Sequence, residues 1–411
     1  MMRRNSSLGS VGFSARGGRS RRRHGGSSKL PYLILIGILI VLLGIAAFLW
    51  VRRSPAEHVS SVPASTETDS ENGVISLDNA SAPADDSLEG VIAQAKLLAD
   101  GYDYDGAINL LSSSTYASDE SVTAAIDEYN ATKETLVRAD PHKVTHVFFH
   151  TLIMDTSKAF DGDSREKGYN QVMTTKDEFM KILQSMYERG FVLVRLHDVA
   201  YEVTAEDGSR HFQEGDIMLP EGKKPFVMSQ DDVCYYEYMD GDGFASRMVI
   251  GADGKPTCEM KLDDGTISTG SYDLVPLLED FIQEHPDFSY RGARAVIAFT
   301  GYQGILGYRT AASYSDSPTY EEDRQTASAV AQCLRDNGWE LASHSWGHRD
   351  LGNIEYAHFK TDCDKWENEV ESLIGPTDII LFPFGADVGD WHPYSSDNDR
   401  FNYLHSLGFR Y

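Results

Sequence analysis

The sequence predicts an α/β fold: a distorted (β/α) barrel, preceded by a transmembrane helix and a small helical hairpin. Three observations predict it. From Val144 onward, short apolar runs alternate with amphipathic helical stretches, the pattern of β/α units around a mostly parallel sheet. Pro31 to Trp50 is an uncharged run long enough to cross a hydrocarbon core of roughly 30 Å. Between the two, residues 88–140 carry short helical segments with apolar faces.

The order along the chain is a basic tail (1–30), an anchor (31–51), a linker (52–87), a hairpin (88–140) and a main domain (141–411). With 411 residues, 41% hydrophobic and 11% aromatic, one large core is within reach. Ten of the 37 Lys and Arg residues fall within residues 1–53, which hold no acid, so the remainder sets 27 bases against all 63 acids. That surface repels phosphate backbones and excludes a nucleic acid partner. Eight of the ten basic residues precede Pro31, so the positive-inside bias puts the tail in the cytoplasm and the acidic body outside the cell membrane, as a single-pass protein. Trp50-Val51-Arg52-Arg53 offers no small-residue cleavage site, which favours an anchor over a signal peptide.

The linker is rich in Ser, Thr, Pro, Asp and Glu and cannot bury enough surface to fold. In the hairpin, Leu88–Asp100, Tyr104–Ser112 and Ser121–Ala139 read as helices, similar to one tetratricopeptide-like unit. Such a unit is a candidate surface for a protein partner or a spacer packed on the main domain. The strands expected in the main domain are Thr145–Phe149, Val192–Arg195, Phe226–Ser229, Ala295–Thr300, Glu340–Ser343 and Ile379–Phe382. Helices fit between them: one capped by Thr175 and Glu178 and ended by Gly190, then Tyr272–Glu284, Tyr320–Asn337 and Glu355–Leu373. An acidic, Gly-rich insert between Asp232 and Tyr272 reads as one or two hairpins turning at Asp253-Gly254 and Asp264-Gly265. Its Asp240-Gly-Asp-Gly run lacks the spaced ligands of a calcium loop. Cys234, Cys258, Cys333 and Cys363 form no paired motif, and either a disulfide or buried thiols fit their spacing.

Chemistry gathers at two strand ends. Phe226-Val-Met-Ser229 runs into Gln230-Asp231-Asp232, and the strand ending at Ser343 delivers His344-Ser-Trp-Gly-His348. The C-terminal ends of parallel strands are where active sites collect. One aspartate with the two histidines makes a three-ligand N/O set that leaves a position for water, and the other aspartate is then free as a base. Such ligands suit zinc, or cobalt or nickel, better than magnesium as the divalent metal.

These segments resemble the polysaccharide deacetylases of carbohydrate esterase family 4, over about Val144 to Tyr411. Ser229-Gln-Asp231-Asp232 is similar to the family's Thr-Phe-Asp-Asp motif, His344-Ser-Trp-Gly-His348 to its His-Ser/Thr-x-x-His motif, Phe382-Pro383-Phe384-Gly385 to its Pro-Tyr-Gly loop, and Leu404-His-Ser-Leu-Gly408-Phe409 to its Leu-x-x-Gly-Phe segment. The element order resembles the exopolysaccharide branch, with Val147-Phe-Phe-His150 ahead of the paired aspartates. The resemblance implies Asp231 as catalytic base, His150 as general acid, and Asp232, His344 and His348 as metal ligands. It implies a hydrolase that removes acetyl groups from an N-acetylated envelope or exopolysaccharide glycan, with an O-acetyl esterase or a non-catalytic carbohydrate-binding scaffold as alternatives. Pro383, Phe384 and Gly385, with Trp346 and Trp391, are the expected substrate-binding residues, and Tyr235 and Tyr236 are further stacking candidates. Gln230 and Val233 depart from the motif. Family members also continue past the Phe409-Arg-Tyr411 segment, so a further strand is expected beyond it.

Overall fold

The computed structural model describes residues 85–411. The basic tail, the Pro31–Trp50 run and nearly all of the linker lie outside the described residues; among those described, no helix is long and apolar enough to cross a membrane.

Three helices open the described chain: α1 (Leu88–Asp100), α2 (Tyr104–Ser113) and α3 (Glu120–Lys133), each started by a side-chain cap from Ser87, Asp103 and Asp119. They share a small core of Ala95, Ala99, Ala107, Leu111 and Val122. The turn between α1 and α2 docks this unit on the main body. There Tyr102 stacks on Tyr290, its hydroxyl donates to the Asp287 carbonyl at 2.8 Å, and Arg291 N–H donates to the Gly101 carbonyl at 2.7 Å. α3 stops at Lys133, short of the expected Ala139. Val137–Arg138 pairs instead with Met218–Leu219, as suits a β-branched residue shortly before Pro141.

The centre is a five-stranded parallel sheet of β1 (Thr145–Phe149), β2 (Phe191–Leu193), β3 (Lys224–Gln230), β7 (Val296–Phe299) and β8 (Glu340–Ser343). β3 is its hub, pairing with β1, β2 and β7, and its Pro225–Gln230 run is buried throughout. Alternation along the strands divides the core in two. Phe226, Met228, Ile297, Phe299 and Leu341 join the larger cluster with the helices, while Val192, Val227, Val296, Ala298 and Ala342 form a second cluster with Ile379. The register aligns Phe149 with Gln230, Gln230 with Ile297, and Phe299 with Ser343, so the segments leaving β1, β3, β7 and β8 emerge at one edge.

The expected distorted barrel is not shown: among the described residues the sheet is an open ladder. Ile379–Phe382 contributes only a single bridge, Ser343 to Ile380, and among the described residues no pairing runs from there back to β1. The strand expected at Val192–Arg195 ends at Leu193, after which Leu196–Val199 makes a helical turn.

α4 (Lys176–Glu188) begins with the capping box of Thr175 and Glu178, and α5 (Leu274–Glu284) buries Leu274, Val275, Leu278, Phe281 and Ile282. α6 (Tyr320–Asp336) and α7 (Tyr356–Trp366) follow, α7 continuing through a π turn at Glu367–Glu371 to Ile374 before Gly375 at φ 78° ends it. The insert is an antiparallel meander of β4 (Arg247–Ile250), β5 (Pro256–Lys261) and β6 (Ile267–Gly270), turning at the two Asp-Gly steps and packed on α5 and α6. Sequence periodicity did not reveal a further hairpin, Ala200–Thr204 with Arg210–Glu214. All four cysteines are buried free thiols.

Candidate metal centre

Asp232 leaves β3 in the left-handed region at φ 60°, His348 sits at φ 49° and Phe384 at φ 62°. Non-glycine residues hold such conformations only where their surroundings enforce them, and they cluster at working sites. Together these turns bring one ligand atom each from Asp232, His344 and His348 within 4.8 Å of one another.

Two of the three ligands, His344 and Asp232, are oriented by a neighbour outside the cluster. His344 Nδ1–H donates to the Leu381 carbonyl at 3.0 Å, which leaves Nε2 with its lone pair free. Burial drives its pKa down to about 4, with the Asp232 charge opposing and His348 and His150 assisting, so the ring is neutral at physiological pH. Asp232 Oδ1 accepts from the Tyr236 hydroxyl at 2.8 Å, and Tyr236 is in turn 2.6 Å from Thr300 Oγ1. That leaves Oδ2 facing His348 Nε2 at 3.5 Å, a separation at which both can serve one ion without first bonding each other. The donor set therefore fits a divalent transition metal: two imidazoles and a carboxylate, each with a supporting partner or a lone pair left over.

Asp231 lies beside the cluster. It is 8% exposed, its N–H donates to the Phe149 carbonyl at 2.8 Å, and its Oδ1 accepts from Ser229 Oγ at 3.0 Å. Ser229 Oγ is also 3.0 Å from His146 Nε2, so a strand-to-strand chain fixes the carboxylate. Burial pushes its carboxyl up to about 7, opposed by the Ser229 hydrogen bond and assisted by the charge of Asp232. His150 leaves the end of β1 on the same edge. Its Nδ1 donates to the Val172 carbonyl at 3.1 Å, which turns Nε2 away from that carbonyl.

The other expected residues divide. Pro383, Phe384 and Gly385 form a tight turn whose Phe384 ring is 73% exposed and meets His348 edge-on at 4.6 Å between centroids. Trp391 is 85% exposed, on the same loop, and no contact ties it to the cluster. Trp346 corrects the expectation of a stacking platform. Its ring lies under the Lys365 ammonium at 3.9 Å and so close to Gly301 that a Cβ there would collide with it, in a recess shared with Ile354 and His358 that the triad does not line. Tyr235 and Tyr236 are likewise buried hydrogen-bond donors rather than sugar platforms. Tyr236, Ser229, His146 and the Leu381 carbonyl were absent from the sequence reading as supports. Tyr236 follows Asp232 by four residues in a non-helical turn, and His146 and the Leu381 carbonyl come from segments distant in sequence, so no periodicity announces them; Ser229, two residues before Asp231, is the one that the i, i+2 spacing of a strand could have found.

Fold and site define an α/β protein with an Asp-His-His centre at the C-terminal edge of a parallel sheet. The chain is similar in structure to a Streptococcus pyogenes deacetylase, PplD, in complex with acetate, at 12% identity over 66% of this chain and 82% of that one, with a TM-score of 0.34. It is similar also to a de-N-acetylase from Aggregatibacter actinomycetemcomitans, at 13% identity over 65% and 85%, with a TM-score of 0.34. No protein-family model and no curated protein matches the chain.

Proposed function

We propose that this protein is a metal-dependent hydrolase that removes acetyl groups from an N-acetylated glycan. The observation that supports it is the convergence of Asp232, His344 and His348 with a separately held carboxylate, Asp231, beside them. A zinc, cobalt or nickel ion held by the triad would polarise an acyl oxygen and acidify water. Asp231 takes the proton from the attacking water. Ser229 aims its carboxylate for that step, and burial raises its basicity toward neutrality, where a general base is most effective. In this reading His150, whose Nδ1 bonds the Val172 carbonyl, returns a proton through Nε2 to the departing amine. Phe384, exposed beside His348, offers the flat apolar face on which a sugar ring stacks.

The wider reading places the enzyme on the outer face of the cell membrane, held by Pro31–Trp50 and acting on an envelope or exopolysaccharide glycan. The helices α1–α3 are a candidate surface for a protein partner. The deciding experiment is acetate release by the purified, metal-loaded protein from N-acetylated and O-acetylated oligosaccharides in parallel. Release from the N-acetyl substrate, abolished by a chelator and restored by metal, is the expected outcome. Release from the O-acetyl substrate alone would make the protein an esterase, and release from neither would sink the hydrolase reading.

A further inference from the structure

Gln230 stands where the resembling motif has phenylalanine, and the structure gives it a use. Asp273, the residue before α5, is fully buried, and no cation pairs with it among the described residues. Its Oδ1 accepts the Leu152 N–H at 2.9 Å, and its Oδ2 accepts Gln230 Nε2 at 2.8 Å and the Tyr235 hydroxyl at 2.6 Å. The three donors come from three segments of the site. Leu152 is two residues past His150, Gln230 immediately precedes Asp231, and Tyr235 is three residues past Asp232.

The β1–β3 ladder runs only as far as Phe149 and Gln230, with one more bond from Asp231 N–H to Phe149. Beyond that point the chains carrying His150 and Asp232 leave the sheet, and the Asp273 carboxylate ties them together again. Tyr235 and Asp232 both hold left-handed backbones, at φ 50° and 60°, so the turn between them needs such an anchor. A hydrophobic trio of similar volume would fill the same space without desolvating a carboxylate, but it would fix no direction. Gln230 even keeps its amide oxygen buried without a partner, so the donor to Asp273 is what its side chain contributes.

We propose that Asp273 is a positioning residue, which through Gln230, Tyr235 and Leu152 sets the spacing between the His150 segment and the Asp231–Asp232 pair. Its catalytic consequence rests on the deacetylase reading; its geometric consequence does not. Gln230→Met and Tyr235→Phe each delete one donor at nearly constant volume, and Asp273→Asn keeps the size while removing one acceptor. Two measurements on the full chain test the idea: hydrogen exchange at the Leu152 amide in metal-free protein, and cobalt content with visible absorption, kcat and KM in cobalt-loaded protein.

Expected for Gln230→Met and Tyr235→Phe is exchange at Leu152 about tenfold faster, cobalt content unchanged, and kcat lowered by roughly ten- to a hundredfold with KM little changed, the scale at which small displacements act on a reaction. The double variant should fall short of the product of the singles, because both act through one carboxylate. A lower melting temperature with unchanged Leu152 exchange and unchanged kcat per bound cobalt would reduce Asp273 to a core residue and overturn the proposal. If wild-type protein binds cobalt but releases no acetate, the deacetylase reading falls, and Leu152 exchange still decides the positioning claim.

Discussion

Strand β8 carries a histidine–carboxylate cluster at each end. At its start, Glu340 bonds His197 Nδ1, and His197 Nε2 lies 3.1 Å from Asp378 Oδ1. At its finish, His344 joins His348 and Asp232. The adjoining segment is shared as well, since Asp378 opens the stretch whose Leu381 carbonyl orients His344. Residue types are nearly the same at the two ends, yet the physics is opposite. Burial works against protonation of His197, but the hydrogen bonds and charges of Asp378 and Glu340 outweigh it and raise its pKa to about 10, so both ring nitrogens are spent as donors to carboxylates. His344 is driven down to about 4 and keeps a lone pair that no protein group takes. A cluster whose members satisfy one another is a brace, whereas one in which His344 and Asp232 are held from behind and face His348 with lone pairs to spare is a site for something else.

The largest effect that separates the two ends is metal content. His344→Ala should lose the ion altogether, whereas His197→Ala should retain it, as measured by elemental analysis of protein purified after metal loading. Equal metal loss in both variants would mean that the two ends of β8 are one structural unit and that the comparison fails.

A smaller effect separates residues within the site. Asp231→Asn should keep the metal and lower turnover by about 10²- to 10⁴-fold, the scale of a positioned general base, while Asp232→Asn should lose metal and turnover together. Metal content measured beside acetate release decides it. The opposite pairing would exchange the roles of the two aspartates.

Legibility in the sequence followed locality. The three residues that the structure brings together sat at strand ends that a buried apolar run announces, so the Asp231-Asp232 pair, His344 and His348 could be picked out after Phe226-Val-Met-Ser and Glu340-Leu-Ala-Ser, while the division of roles between the two aspartates came from the family resemblance. The Thr175 capping box and the Asp-Gly turns of the insert are equally local, and the structure holds both. What escaped was set by contacts distant in sequence. The Asp273 carboxylate reaches Leu152 across 121 residues and Gln230 across 43. Closure of the sheet is a global property, and six strand-like runs could not tell an open ladder from a barrel. Trp346 failed for a related reason: its position inside the metal motif placed its backbone at the site, but a side chain between two ligands points where the turn sends it, here toward Lys365.

The smallest effect is a pH dependence at the brace. In the unfolded chain His197 titrates near 6.5, and in the fold it is raised to about 10. The folded state then holds the proton more tightly, so the contribution to stability is fully present below pH 6.5, shrinks as the pH rises from there, and is gone above about 10. The His197 side chain is 38% exposed, so solvent and salt screen the pair and the contribution is modest. Urea unfolding of the wild type and His197→Gln across this range should show a stability gap that is widest at pH 6, closes toward pH 10 and narrows in high salt. Acetate release per bound metal should stay the same in both proteins at pH 7. A gap independent of pH would mean that His197 is neutral in the fold and bridges Glu340 and Asp378 by hydrogen bonding alone, and the contrast in charge between the two ends of β8 would then disappear while the contrast in free lone pairs would stand.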